Sequence, residues 1–256
     1  MKNIKQLLDY EVNNRNNINE LTEENPDPLM IAKKNNNEYI ALICALFSYG
    51  NAQQIVKFLN TLDFELLNKS DENIKVFFKN YYYRFQNSDD ISAIFIAIKR
   101  LKSQKSLEEI FKIGYDENHD VLEGISKIIQ SVLEVYEYHS VGYKFLVGTA
   151  PKRDKYGKIK YKGNAPYKRY NMFLRWMVRK DNLDMGLWKN VNTKDLILPL
   201  DTHTFKVSSQ LGLLTRKTYD LQSAVLITEE LKKFNNEDPI KYDFALYRIG
   251  QNKIIL

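Results

Sequence analysis

The stretch Leu198–Leu213, LPLDTHTFKVSSQLGL, gathers residue types suited to chemistry. A hydrophobic run, Leu196–Leu198, meets Pro199 and then Asp201-Thr202-His203. Phe205, Val207, Leu211 and Leu213 follow at helical spacing. Asp201 therefore stands where a helix N-cap belongs. A capping aspartate holds its carboxylate among unpaired backbone N–H groups, near the positive end of the helix dipole. His203 is expected either to order the helix start or to meet a phosphate. His119, His139 and His203 are scattered without ligand spacing, so no metal site is expected.

Upstream, residues 144–180 concentrate positive charge. They carry Lys152, Arg153, Lys155, Lys158, Lys160, Lys162, Lys168 and Arg169, with Asp154 as the only acid. Tyrosines are interleaved. Two readings stand: a solvated basic loop, or a surface whose cations neutralise phosphates while aromatics fix position. The run leads into a helix expected over Pro166–Val178, PYKRYNMFLRWMV, with Phe173, Leu174, Trp176 and Met177 as core residues. Lys168 falls in its first turn, beside Arg169, where the dipole disfavours a cation. A lysine amine near an acid can attack an electrophilic carbon and form a Schiff base.

The Leu198–Leu213 stretch resembles the catalytic-aspartate segment of the helix-hairpin-helix (HhH-GPD) DNA glycosylase superfamily, roughly P-x-D-T-H-x-x-R-V-x-x-R-L-G. Pro199, Asp201, Thr202, His203, Val207, Leu211 and Gly212 match; Lys206 stands near the usual arginine, and Gln210 replaces a second basic residue. The long spacing from Lys168 to Asp201 resembles that of the archaeal 8-oxoguanine glycosylases called AGOG. The segments SYGN (Ser48–Asn51), YRFQNSDD (Tyr83–Asp90), YKRYNMFLRWMVR (Tyr167–Arg179) and DPIKYDFALYRIG (Asp238–Gly250) resemble those of an AGOG-like bacterial family.

The resemblance implies a bifunctional DNA glycosylase and abasic-site lyase, with double-stranded DNA carrying a damaged base as partner and no cofactor. Lys168 would be the nucleophile and Asp201 would stabilise positive charge on the sugar. Met172, four residues past the lysine, would stack on a flipped base. Asp243 would read the N–H groups of a guanine edge, and Tyr247, four residues on, would stack as well. By spacing alone, Met172 and Tyr247 suit a core better than a pocket, and Asp243 could pair with Arg248 or Lys241. Asn51 falls where relatives place a base-contacting or strand-wedging loop. Lys162, Gly163, Arg169, His203 and Lys206 are the DNA-backbone candidates. In place of the usual short G-x-G hairpin stands Gly163-Asn164-Ala165-Pro166, with Arg153–Lys162 in front of it as an insertion.

These residues need a scaffold, and the expected one is all-α. The 256 residues include only ten glycines and six prolines, which favours long helices over a turn-rich β fold. Helices are expected over 2–15, Tyr39–Tyr49, Ala52–Leu62, 71–85, Ile91–Leu101 (capped by Ser88-Asp89-Asp90), Val121–Tyr138, Tyr219–Phe234 and Asp238–Gly250. The resemblance implies two lobes: 1–35 with 199–256 in one, and 36–198, carrying the hairpin and Lys168, in the other. A damaged purine, 8-oxoguanine, would flip into a cleft between them. The open alternatives are the same fold acting on another lesion, such as an alkylated purine, and a non-catalytic helical DNA- or protein-binding module.

Apolar residues make up 44% and charged residues 27%, as in an ordinary globular protein. Net charge is +6 with pI near 9.0, which permits a polyanionic partner. Cys44 is the only cysteine, so no intrachain disulfide and no cysteine-ligated cluster can form. The expectation is a monomer in a reducing cytoplasm, with neither a signal peptide nor a membrane span.

Overall fold

The computed structural model describes residues 2–251. Among them are thirteen α-helices and no extended strand, so the chain is all-α. Contacts divide it into two compact units: residues 23–151 form one, and residues up to 22 with those from 152 onward form the other. The expected division put 23–35 with the termini, whereas they belong to the middle unit, and it put 152–198 with the middle of the chain. These residues instead group with both termini, because Arg179 pairs with Asp238, Arg175 with Asp243, and Asn182 bonds to Asn16.

The chain begins with α1 (Lys2–Arg15), as the apolar spacing over 2–15 predicts. In the 23–151 unit follow α2 (Leu29–Asn35), α3 (Glu38–Leu46), α4 (Ala52–Leu59), α5 (Asp71–Phe78), α6 (Ser88–Lys102), α7 (Leu107–Tyr115), α8 (Val121–Val135) and α9 (Val141–Val147). Two helices form the centre. Ala41–Leu46 of α3 and Ile94–Ile98 of α6 are fully buried, and such side chains contribute about 1.5–3 kcal/mol each for the larger aliphatics. The α7 and α8 helices meet through Gly114 and Gly124. A Cβ on the first would strike the Glu123 carbonyl, and one on the second the Phe111 ring.

Several boundaries differ from expectation. The 71–85 helix stops at Phe78, because Ser88 donates its hydroxyl to the Lys79 and Tyr81 carbonyls and Arg84 turns the backbone at φ 59°. Tyr82 and Phe85, beyond its end, are exposed. The cap of α6 is Asn87, one residue earlier than expected, with Asp90 closing a reciprocal capping box. Helix α3 ends at Leu46, α4 at Leu59 and α8 at Val135, each three residues short of expectation. Helices α2, α7 and α9 were not expected at all.

In the other unit lie α10 (Lys168–Val178), α11 (Thr202–Gln210), α12 (Leu221–Lys232) and α13 (Asp243–Gln251). The expected Asp238–Gly250 helix is a 3-10 turn, Pro239–Tyr242, followed by α13. Helix α10 is buried from Tyr170 through Val178. Helices α11 and α13 pack closely at Gly250, where a Cβ would lie 3.0 Å from Val207 and 3.1 Å from the His203 Cβ.

Candidate functional site

Asp201 caps α11 as the sequence predicts. Its backbone is extended (φ −117°, ψ −177°), and Oδ1 accepts the Thr204 N–H at 2.8 Å. The approach to it is fixed from outside. Leu198 donates its N–H to the Thr228 hydroxyl at 3.0 Å, and Tyr219 donates its hydroxyl to the Leu200 carbonyl at 2.7 Å. Leu198 and Leu200 are fully buried, so the segment has little freedom. Burial pushes the Tyr219 hydroxyl up to about 12, with the Asp201 charge adding to it.

Lys168 opens α10. The helix begins at Lys168 rather than Pro166, because Tyr167 takes a left-handed conformation (φ 49°, ψ 36°) that a non-glycine residue adopts at a cost of about 1–3 kcal/mol. Asn171 holds the turn by donating its side-chain amide to the Pro166 carbonyl at 3.0 Å. From this start the Lys168 Nζ lies 3.9 Å from the second Asp201 oxygen, Oδ2. The lysine side chain is 32% exposed and the aspartate 16%. At that distance the pair is not a hydrogen bond, and a partly solvated ion pair contributes at most about 1 kcal/mol. The contact therefore does little for stability, and both groups reach solvent.

Asp243 is buried at the start of α13. Its partner is neither Arg248 nor Lys241: Arg175 Nη1 donates to Oδ2 at 2.5 Å. Arg175 also meets Asp184 at 3.1 Å; Asp184 pairs with Arg179, and Arg179 with Asp238. These side chains form one chain of alternating charge through this unit. Burial raises the Asp243 carboxyl to about 6; Arg175 opposes the rise, while the Asp201 and Asp184 charges add to it. Arg175, Asp184 and Tyr219 escaped the sequence reading. Arg175 carried a usable signal, a cation inside the otherwise apolar MFLRWMV run, two turns from Lys168 on the same helix face.

Met172 is 9% exposed, one turn after Lys168. Tyr247 is half-buried, its ring 6.1 Å from that of His203 in an edge-on arrangement. His203 and Lys206 are exposed on α11, and Arg169 is half-buried on α10. Lys162 and Gly163 are exposed; Gly163 sits at φ 75° with open space beside it. Arg248 lies over the Phe244 and Tyr247 rings and donates to the Glu20 carbonyl, tying α13 to the N-terminal segment. A pocket lined by Arg15, Arg175, Asp184, Lys241 and Phe244 follows the charge chain, and Lys168 and Asp201 do not line it.

Asn51 belongs to the 23–151 unit. Its side chain caps α4, accepting the Gln53 and Gln54 N–H groups at 3.0 and 3.4 Å. Cys44 is fully buried in α3, and burial raises its thiol. Among the described residues, no cluster of His, Cys, Asp and Glu could hold a metal ion, and no helix is long and apolar enough to cross a membrane.

A family model described as "Protein of unknown function (DUF2400)" matches residues 27–252. The chain belongs to that family. Lys168, Asp201, Asp243 and their partners Arg175 and Tyr219 all lie inside the matched span. No curated protein and no solved structure matches the chain.

Proposed function

We propose that the chain is a DNA glycosylase with abasic-site lyase activity, built on a two-lobed HhH-GPD scaffold and acting on an oxidised purine, 8-oxoguanine, in duplex DNA. The observation that carries this reading is the approach of Lys168 Nζ to Asp201 Oδ2, 3.9 Å apart and both reachable from solvent. Two residues far apart in sequence, each at a helix start, bring an amine and a carboxylate to one place.

The pair suits displacement at the anomeric carbon of a nucleotide. The uncharged amine attacks C1′; the C1′–Nζ bond forms as the glycosidic bond breaks, and the electron pair leaves on the purine, which takes up a proton. Positive charge gathering on the sugar lies toward Asp201. The Asp201 carboxylate can also take the amine proton through one water. Ring opening then gives the Schiff base from which the strand is cut. Asp243, ionised through Arg175, would accept from the N–H edge of the purine, with Met172 and Tyr247 at its faces.

Borohydride trapping on a duplex carrying 8-oxoguanine opposite cytosine tests this, with wild type and Lys168→Gln in parallel. The expected result is a covalent protein–DNA adduct with wild type alone. No adduct and no base release on this duplex, nor on a panel of alkylated and abasic duplexes, overturns the enzyme reading.

A further inference from the structure

Gly163, a candidate for contact with the DNA backbone, lies close to an acid. Its N–H lies toward the Asp220 carboxylate, the N-cap of α12, and helps to hold that carboxyl low. Asp220 also accepts the Ser223 N–H at 3.1 Å and pairs with Arg216 at 2.6 Å. A carboxylate therefore stands near the Gly163 turn.

The loop in front of this turn is built differently. Lys152, Arg153, Lys155, Lys158, Lys160 and Lys162 are all exposed. Of these, the five lysines form no ion pair among the described residues. Asp154, the loop's only acid, is used internally: Oδ1 accepts the Tyr156 N–H at 2.8 Å and the Lys158 N–H at 3.0 Å.

Backbone bonds close the loop, from Asp154 N–H to the Lys158 carbonyl at 2.8 Å and from Lys160 N–H to the Lys152 carbonyl at 2.9 Å. Asn164, 4% exposed, locks its base. Its side chain accepts the Lys152 N–H at 2.9 Å and donates to the Lys152 and Lys160 carbonyls at 3.1 and 2.6 Å. Its own carbonyl takes the Leu221 N–H, which ties the loop to α12.

We infer that this lysine loop, residues 152–162, is the surface that grips the phosphate backbone of duplex DNA, in place of the Gly163 turn. The inference rests on the glycosylase reading and names where that reading's substrate is held. Ordered cations without counter-charges repel one another, and an anionic partner relieves the repulsion while losing little loop freedom on binding. Lysine supplies point charges, which suit phosphates without selecting a sequence. Tyr156 and Tyr161 are exposed on the same loop, with apolar faces for sugars. Ile159 is the loop's only aliphatic residue and is half-buried, so a membrane would find no apolar anchor there. Lys162 is within roughly 20 Å of Lys168 along the chain, close enough to contact phosphates near the reacting nucleotide.

The test is the salt dependence of binding to a duplex carrying a tetrahydrofuran abasic analogue, read by fluorescence anisotropy. Three proteins are compared: wild type, the triple variant Lys155→Gln/Lys158→Gln/Lys160→Gln, and a charge-matched control, Lys112→Gln/Lys232→Gln/Lys233→Gln. The control lysines are each paired with an acid on their own helix or just after it. The loop variant is expected to lower the slope of log Kd against log salt by about 3, near one per lysine, while the control keeps the wild-type slope. Equal slopes in all three overturn the inference, as does wild-type binding to a polyglutamate peptide but not to duplex. If borohydride adducts form but the loop variant keeps the wild-type slope, the loop inference fails and the glycosylase reading stands. If the slope falls as expected but no lesion gives an adduct, the reverse holds.

Discussion

Arg175 and Asp243 lie 68 residues apart in sequence and meet at 2.5 Å, both nearly free of solvent. Neither is simply a structural pair, because Asp243 also feels Asp201, which meets Lys168. The charge chain from Asp238 through Arg179, Asp184 and Arg175 ends at Asp243, whose carboxyl the Asp201 charge helps to raise.

Asp243 should confer an acid limb on activity. Its carboxyl is raised to about 6 from the ordinary 3.8, so it is ionised above that pH and protonates as pH falls through it. A protonated carboxyl no longer offers two acceptor oxygens to a purine edge. Base release under single-turnover conditions should therefore decline below about pH 6, and Asp243→Asn should flatten that limb at a lower overall rate. The sign for stability is opposite. The folded state binds the proton more tightly than the unfolded chain, so this group favours folding at acid pH and loses that contribution as pH rises through about 6.

Arg175→Met should be far more damaging than its conservative appearance as a helical, space-filling change suggests. It leaves Asp243 buried without a cation and removes one of two from Asp184. Breaking a buried pair in this way costs about 3–5 kcal/mol, to be read from the urea midpoint. The same variant should move the acid limb above 6. A stability loss with an unmoved limb would show that Arg175 does not govern the Asp243 charge.

Two substitutions at Asp201 separate capping from chemistry. Asparagine caps as well as aspartate, so Asp201→Asn should leave the melting temperature close to wild type while abolishing borohydride trapping and base release. Asp201→Ala should lose both, with about 1 kcal/mol of stability gone along with the cap. Trapping retained by the asparagine variant would mean that the charge is dispensable.

Asn164→Ala removes the three side-chain bonds that close the lysine loop. Leaving the two carbonyls and one amide without those partners costs about 1–3 kcal/mol. The loop, rich in lysine, should become much more sensitive to limited trypsin digestion, with new cuts falling between residues 152 and 162. An unchanged digestion pattern would show that the loop is held by its backbone bonds alone.

By itself the sequence determined what a few neighbouring residues decide. The α1 bounds, the Asp201 cap and the all-helical class follow from apolar spacing and from side chains that compete for helix-end N–H groups, and those forces act within one or two turns. The start of α10 was out by two residues, since a left-handed Tyr167 has no local signature. The end of α5 was missed because its stop is set by a serine ten residues on. Only the tertiary structure decided which charges pair. Asp243 had two cations close in sequence and took neither: Arg248 pairs with Glu20 and Lys241 with Asp9, while Arg175 is buried beside Asp243 and Asp184. The same holds for Asn164, whose carbonyl takes the Leu221 N–H at the start of α12. Residues 152–198 joined the chain's two ends for this reason: the ion pairs and hydrogen bonds that hold them run to Asp238, Asp243 and Asn16, and nothing in their own composition says so.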